Sequence, residues 1–116
     1  MEITDNSFSK EDMRLVEDTL YVLNGKWKLL IILSLCNSKK RYNEILKDIP
    51  KITSRMLSKE LKELELNNLV RRDVYVNTPV VVEYQITEYS KALGPLLEEM
   101  VSWGRQHRKI LFKPNF

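Results

Sequence analysis

The sequence contains few of the residues on which most catalytic and metal sites depend. Among its 116 residues there are one cysteine, one histidine and three glycines. The lone Cys36 excludes a disulfide within the chain and suits a reducing compartment, so we expect a cytoplasmic protein. Three scattered glycines cannot build a phosphate-binding loop, and no His/Cys cluster has the spacing of metal ligands. His107, in RQHRK, has no plausible serine or cysteine partner nearby in sequence. We therefore predict no metal, no cofactor and no enzymatic activity.

Long apolar runs are also missing. No stretch reaches the length of a bilayer span, and the polar, acidic start MEITDNSFSKED is typical of neither a signal peptide nor an anchor, so we expect no membrane association. The mass of 13.8 kDa fits one domain, and 43% hydrophobic residues can fill one core. We predict a flexible segment at 1–10, a folded domain at 11–110 and a tail at 111–116.

The net charge of +3 is unevenly distributed along the chain. Residues 1–36 carry 4 basic and 6 acidic side chains, net −2, and residues 79–116 carry 5 and 4, net +1. The middle block, residues 37–78, carries 10 and 6, net +4. A polyanion is expected to bind at this middle block.

Hydrophobic periodicity predicts several helices. Residues 11–23 have apolar side chains at helical spacing, with Ser9 as a possible cap and Asn24-Gly25 as a break. Residues 26–36 (KWKLLIILSLC) are apolar on nearly every side, which predicts a buried helix at the centre of the core with Cys36 as an apolar filler. A short helix follows from Tyr42 to Asp48 and is ended by Pro50.

The helix predicted from Thr53 to Leu66 has two opposite faces. With Arg55 taken as zero and about 100° per residue, Lys59 and Lys62 fall at about 40° and about 340°. Three leucines, at 57, 61 and 64, fall between about 180° and about 240°. A solvated charged face would give the same pattern. Serine and threonine in the first turn and a basic hairpin nearby favour DNA, because they suit phosphate oxygens and base edges together.

The chain then changes to a period of two. Residues 69–76 and 80–86 are rich in β-branched and aromatic side chains and predict a β-hairpin with a basic stem at Arg71-Arg72. A closing helix runs from about 87 to about 110 and must kink or split at Gly94-Pro95. The order predicts an α+β, mostly α, fold: a winged helix-turn-helix with a two-stranded hairpin as its wing.

Several motifs resemble a known family. In order they are GKWKLLIIL (25–33), KRYNEILKDIPKITSRMLSKELKEL (40–64), NNLVRR (67–72), TPVVVEYQIT (78–87) and SWG (102–104). They are similar to the HxlR-type winged-helix transcriptional regulators, relatives of the MarR group, over about residues 13–104. Several members carry a sensing cysteine just ahead of the first helix, where this chain reads SFSKEDMRL. The usual T-E-x-G is here Thr87-Glu88-Tyr89-Ser90.

The resemblance implies a homodimer that reads operator DNA with the helix at 53–66 and places the hairpin tip in or along a groove. We predict three sets of DNA contacts. The recognition helix supplies Thr53, Ser54, Arg55, Ser58, Lys59 and Lys62. The phosphate contacts that set register are Lys26, Arg41, Tyr42 and Asn43. The wing contacts are Arg71, Arg72, Asn77 and Thr78.

Pairing is expected through the first and last helices, because one small domain rarely needs two apolar stripes of its own. Trp27 and Trp103 can be core aromatics. The predicted interface consists of Met13, Val16, Leu20, Leu97, Met100 and Trp103. We expect a repressor, with an activator as the alternative, and leave any small-molecule effector unassigned. A winged helix can also act as a protein–protein interaction module, which is the alternative from another functional class.

Overall fold

The computed structural model describes residues 7–112. Six helices and one hairpin follow in chain order: α1 Lys10–Val22, α2 Lys28–Cys36, α3 Tyr42–Asp48, α4 Ser54–Leu66, β1 Val70–Tyr75, β2 Val81–Ile86, α5 Glu88–Lys91 and α6 Gly94–Leu111. The two strands form an antiparallel sheet in which Val70 pairs with Ile86 and Tyr75 with Val81. This is the mostly helical fold with a hairpin wing that the sequence predicts. Of the predicted flexible segment and tail, residues 1–6 and 113–116 lie outside the described residues.

Local signals in the sequence set the ends of the helices. Ser9 caps α1 through its side chain, which accepts from the Asp12 backbone N–H, while the Asp12 carboxylate accepts from the Ser9 N–H. Gly25 has φ 83° and Asn68 has φ 60°, the left-handed conformation in which a helix commonly stops. The closing helix splits into α5 and α6, and Pro95 stands in the first turn of α6, where its missing N–H costs no hydrogen bond.

The core gathers around α2, which packs against α3, α4 and β2. Ile31, Ile32 and Leu35 of α2 are almost fully buried, together with Ile45 of α3. The remaining fully or nearly fully buried apolar side chains include Leu57, Leu61, Leu64, Leu69 and Val70.

The prediction that α2 is buried on every side is wrong. Leu30 and Leu33 are 38% and 36% exposed, and Cys36 is exposed as well. The reason is geometric, since α3, α4 and β2 leave one side of this nine-residue helix uncovered. Cys36 is therefore a surface thiol in this chain, contrary to the expected buried filler.

The end helices differ in how they meet the core. No residue between the ends of α1 is buried, whereas α6 buries Leu97, which is 5% exposed. The placement of Leu97 in an intermolecular interface is thus wrong, because this side chain belongs to the core of its own chain. Among the described residues, no helix has the length and apolar character needed to cross a membrane.

Candidate nucleic-acid interface

The two faces of α4 are as different in the structure as on the helical wheel. Leu57, Leu61 and Leu64 are 0%, 2% and 0% exposed and anchor the helix to the core. Thr53 stands at the N-cap, where its hydroxyl oxygen accepts from the Met56 N–H at 3.2 Å. The opposite face is open to solvent and presents Ser54, Arg55, Ser58, Lys59 and Lys62.

The cations of this face differ in their partners. Lys59 Nζ lies 3.9 Å from a carboxylate oxygen of Glu63, one turn along the helix. Within residues 7–112, neither Arg55 nor Lys62 has a carboxylate oxygen within 4.0 Å. Both side chains are thus available to an external anion, whereas Lys59 is partly compensated.

Tyr42 connects α3 to the exposed face of α4. Its hydroxyl donates to the Ser54 carbonyl oxygen at 2.7 Å and lies 2.9 Å from Ser58 Oγ. Two of the predicted DNA contacts, Tyr42 and Ser58, are therefore partners of each other in the free protein. These hydrogen bonds fix where the start of α3 stands relative to α4.

The residues at the start of α3 lie on the surface. Arg41 and Asn43 are exposed, and the Arg41 backbone N–H donates to the Glu44 carboxylate at 2.8 Å. Lys26 is also exposed, with Nζ 4.7 Å from the centre of the half-buried Trp27 ring. Lys26 shares a groove with Met56 and Lys59, so the structure brings this cation to the side of α4.

A second groove, of about 490 Å³, separates α4 from the hairpin. Its lining includes Tyr42, Ser58, Lys62, Arg72 and Tyr84. Lys62 from the helix and Arg72 from the wing thus lie on the walls of one concave surface, which also includes one acidic residue, Glu65. This arrangement suits a strand of phosphates lying between the helix and the wing.

The hairpin separates the two predicted arginines onto opposite faces. Arg72 pairs with Tyr84 on the face that meets the core, and Arg71 pairs with Gln85 on the outer face. On that outer face Arg71 Nε donates to Asp73 at 3.0 Å, and Gln85 donates to the same carboxylate at 2.7 Å. These hydrogen bonds, from Gln85 first and then Arg71, lower the pKa of Asp73 below its ordinary 3.8. Arg71 is consequently paired with a carboxylate, whereas Arg72 has no carboxylate oxygen within 4.0 Å among residues 7–112.

The turn of the hairpin is fully accessible. Asn77 and Thr78 are exposed there, and the Asn77 N–H donates to the Tyr75 carbonyl oxygen at 2.9 Å. Lys39 lies against the hairpin between its middle and its turn, with Nζ 3.5 Å from Glu83 and 5.9 Å from the Tyr75 ring centre. Sequence reasoning did not single out Lys39, because its neighbour in space comes from a distant strand.

A buried ion pair beside α4 was also missed. Lys28 is 3% exposed, Glu60 is 7% exposed, and Lys28 Nζ lies 3.1 Å from Glu60 Oε1. In sequence, Lys28 is simply the first residue of an apolar run, and Glu60 lies 32 residues later. No local pattern joins two such residues.

The residues predicted for pairing lie on the surface, apart from Leu97. On α1, Met13, Val16 and Leu20 are 61%, 58% and 60% exposed. On α6, Met100 is 47% exposed and Trp103 is 63% exposed, with the Trp103 ring stacked on His107 at 4.8 Å. Trp103 is therefore not a core aromatic. Among the described residues no group of three or more His, Cys, Asp or Glu side chains could hold a metal ion.

A capped cationic helix that follows a short helix, is joined to it through Tyr42 and precedes a two-stranded hairpin defines a winged helix-turn-helix protein. The family model for HxlR-like helix-turn-helix proteins matches residues 22–111, and the chain belongs to this family. It is thus a helix-turn-helix transcriptional regulator, which confirms the predicted family and class and sets it apart from enzymes.

Relatives in sequence and solved structures both agree with this assignment. The chain is 43% identical over 98 residues to the uncharacterized HTH-type transcriptional regulator YdeP of Bacillus subtilis, covering 84% of this chain and 77% of YdeP. Among solved structures, the redox regulator HypR in its reduced form is 41% identical, with a TM-score of 0.79 over 86% of this chain and 99% of HypR. A MarR-family regulator from Enterococcus faecalis V583 is 29% identical, with a TM-score of 0.77 over 95% and 100% of the two chains.

Proposed function

We propose that this regulator binds a pseudo-palindromic DNA operator as a homodimer, with α4 in the major groove and the hairpin along the adjacent backbone. The observation that carries the proposal is the exposed face of α4, where Arg55 and Lys62 have no acidic partner among the described residues. The leucine face holds the helix rigidly behind them. A rigid, uncompensated cationic helix face is what major-groove recognition needs.

The proposed contacts follow from position on the helix. Arg55 stands in the first turn, and the N-terminal turn of a recognition helix meets base edges, so Arg55 is assigned to a guanine. Ser54 and Thr53 have hydroxyl groups at the same end and are assigned to phosphate or base edges. Lys62 lies two turns further on and faces the groove shared with Arg72, so both are assigned to phosphates.

The remaining contacts frame the recognition helix. Arg41, Asn43 and Lys26 are assigned to phosphates that set its register, and Asn77 and Thr78 to the groove that the tip of the wing reaches. Tyr42 and Ser58 keep their mutual hydrogen bond and present its outer side to the backbone. Lys59 and Arg71, each near a carboxylate of its own chain, are assigned smaller contributions than Lys62 and Arg72.

The homodimer is supported by the apolar surface of the end helices. Large exposed apolar side chains grouped on one helix, as on α1 and again on α6, are typical of a surface that binds another protein chain. Pairing of α1 and α6 with a second copy would cover Met13, Val16, Leu20, Met100 and Trp103 and leave the basic surface free. A two-fold axis would then set two recognition helices about one turn of DNA apart, 10–10.5 base pairs.

The proposed site of action is the cytoplasm, where operator DNA is found in bacteria and archaea. The proposed outcome is repression, since a dimer on a promoter excludes other proteins from the same DNA.

Selection of bound sequences from a random DNA pool with the purified protein tests the proposal. We expect an enriched palindrome with half-sites about 10–10.5 base pairs apart. Arg55→Ala should then lose about 1–3 kcal/mol of affinity and relax one position per half-site, while Lys91→Ala on α5, outside both the proposed DNA contacts and the proposed interface, serves as the control. A pool without enrichment, together with binding that ignores salt, would instead favour a protein–protein interaction module.

A further inference from the structure

The Lys28 ammonium is a buried charge with three partners from two different parts of the chain. Nζ donates to Glu60 Oε1 and to Asn24 Oδ1, each at 3.1 Å, and lies 3.6 Å from Glu63 Oε1. Only 4% of the Lys28 side chain and 9% of the Glu60 side chain are exposed. A charge this deeply buried is tolerated only when its partners hold it in good geometry.

The partners join two elements with different tasks. Glu60 and Glu63 belong to α4, the proposed recognition helix, whereas Asn24 directly follows Leu23, the C-cap of α1. α1 has little other connection to its own domain, because none of its residues is buried and only its end, at Val22 and Leu23, packs on the core. The direction in which α1 leaves the domain is therefore decided at this end, by the packing of Val22 and Leu23 and by Asn24, which accepts a hydrogen bond from Lys28.

We propose that Lys28 is a positioning residue that fixes the angle between α1 and α4, and with it the distance between the two recognition helices of the dimer. The inference rests on the proposed function, since it requires α1 to pair with a second copy and α4 to read DNA. Lys28 itself is buried and does not contact DNA.

The ion pair suits this task better than an apolar contact would. A movement of α1 that breaks a hydrogen bond from the buried ammonium to Asn24 or Glu60 leaves a buried polar group without its partner, while apolar side chains can slide past each other at small cost. Half-site spacing needs this precision. Neighbouring base pairs differ by about 3.4 Å along the duplex and by about a tenth of a turn, so a small tilt of α1 misplaces the second recognition helix.

The test compares affinity for the selected operator with affinity for the same operator carrying one inserted base pair between its half-sites. The double variant Lys28→Met, Glu60→Met removes both charges and keeps their volume, which avoids a lone buried charge. Asn24→Ala removes only the partner that follows α1 and leaves the ion pair intact. The matched control is Glu88→Met, Lys91→Met, an exposed pair on α5.

We expect the wild type and the control variant to discriminate strongly against the inserted base pair. The Lys28/Glu60 double variant should lose about tenfold of that discrimination, on the scale of one wrong base pair, and Asn24→Ala about threefold, on the scale of one hydrogen bond. Affinity for a duplex with a single half-site, and its salt dependence, should stay within about twofold, because no phosphate or base contact is removed.

Circular dichroism and melting confirm that each variant is folded; if the double variant is not, Asn24→Ala decides the question alone. Unchanged spacing discrimination in the folded variants would overturn the inference. So would an equal loss for the operator and for the single half-site, which is the result of a purely stabilising ion pair. A wild-type protein that enriches no sequence would count against the proposed function, and that outcome is seen before any variant is made.

Discussion

Leu61 and Lys62 are neighbours in α4 that point about 100° apart, one into the core and one into solvent, so they form a matched pair for testing this helix. Leu61 is 2% exposed and packs in the core, while Lys62 is exposed and lines the groove between α4 and the wing. Alanine at either position has a high helix propensity, so the change does not itself break the helix. The two variants separate the folding role of α4 from its DNA-binding role.

The loss of stability expected for each variant depends on whether the removed side chain lies in the core or in solvent. Leu61 also borders the groove, so the space left by Leu61→Ala can partly collapse, and we expect a loss of about 3 kcal/mol from the 2–5 range for buried leucines. At about 2.1 cal/mol/K of unfolding entropy per residue over 116 residues, this loss lowers Tm by about 12 °C. Lys62→Ala should move Tm by only a degree or two, within about 0.5 kcal/mol.

For DNA binding we expect the opposite order: Lys62→Ala should have the larger effect and Leu61→Ala the smaller one. Loss of one phosphate contact per subunit reduces the slope of log affinity against log salt by about 1.8 per dimer, at about 0.9 for each contact. Between 50 and 200 mM salt the affinity of Lys62→Ala should therefore fall about twelvefold less than that of the wild type. Leu61→Ala, measured well below its Tm, should keep the wild-type slope.

Fluorescence anisotropy with operator DNA at four salt concentrations, and thermal melting of each variant, give these numbers. Lys91→Ala on α5 is the control for removing a charge outside both proposed surfaces. A Lys62→Ala protein with an unchanged salt slope would refute the placement of α4 against DNA. A Leu61→Ala protein with an unchanged Tm would refute the packing of α4 on the core.

Three further predictions concern the end helices, the surface thiol and an ion pair. Val16→Glu, on the exposed side of α1, should give a monomer in light scattering that still melts as a folded protein. Leu97→Glu should instead unfold the chain, because Leu97 is only 5% exposed. A dimeric Val16→Glu protein would contradict the proposed interface. Cys36 should react readily with a thiol reagent in the native protein because it is exposed, and slow labelling would show that something covers it. Hydrogen bonds from Lys40 and then Ser34 lower the pKa of Asp48 below its ordinary 3.8. The ionised Asp48 carboxylate therefore stabilises the fold above pH 3.8, and this stabilisation is lost as the pH falls through the lower pKa of the folded state. Asp48→Asn should therefore be less stable than the wild type near neutral pH, and the difference in unfolding free energy should shrink below about pH 4. Urea unfolding measures this difference, with Asp18→Asn as the control. A difference that grows in acid would contradict the prediction.

The sequence alone determined the positions of the helices and strands and the cationic face of α4. Helix ends depend on short-range interactions, such as the box at Ser9 and the left-handed Asn68, so local patterns located them to within a residue or two. The two-sided character of α4 also follows from the 3.6-residue repeat. For that reason the cationic face around Arg55 and Lys62 and the family motifs could be read before any coordinates were known.

Only the tertiary structure decided which apolar residues are covered and which charges are paired. Periodicity shows that α2 and α6 are apolar, but the packing of α3, α4 and β2 leaves Cys36 at the surface and draws Leu97 into the core. The pair of Lys28 with Glu60 spans 32 residues and exists only where α2 crosses α4. Burial and long-range pairing depend on how elements meet in space, and that information is spread over the whole chain and absent from any one segment of it.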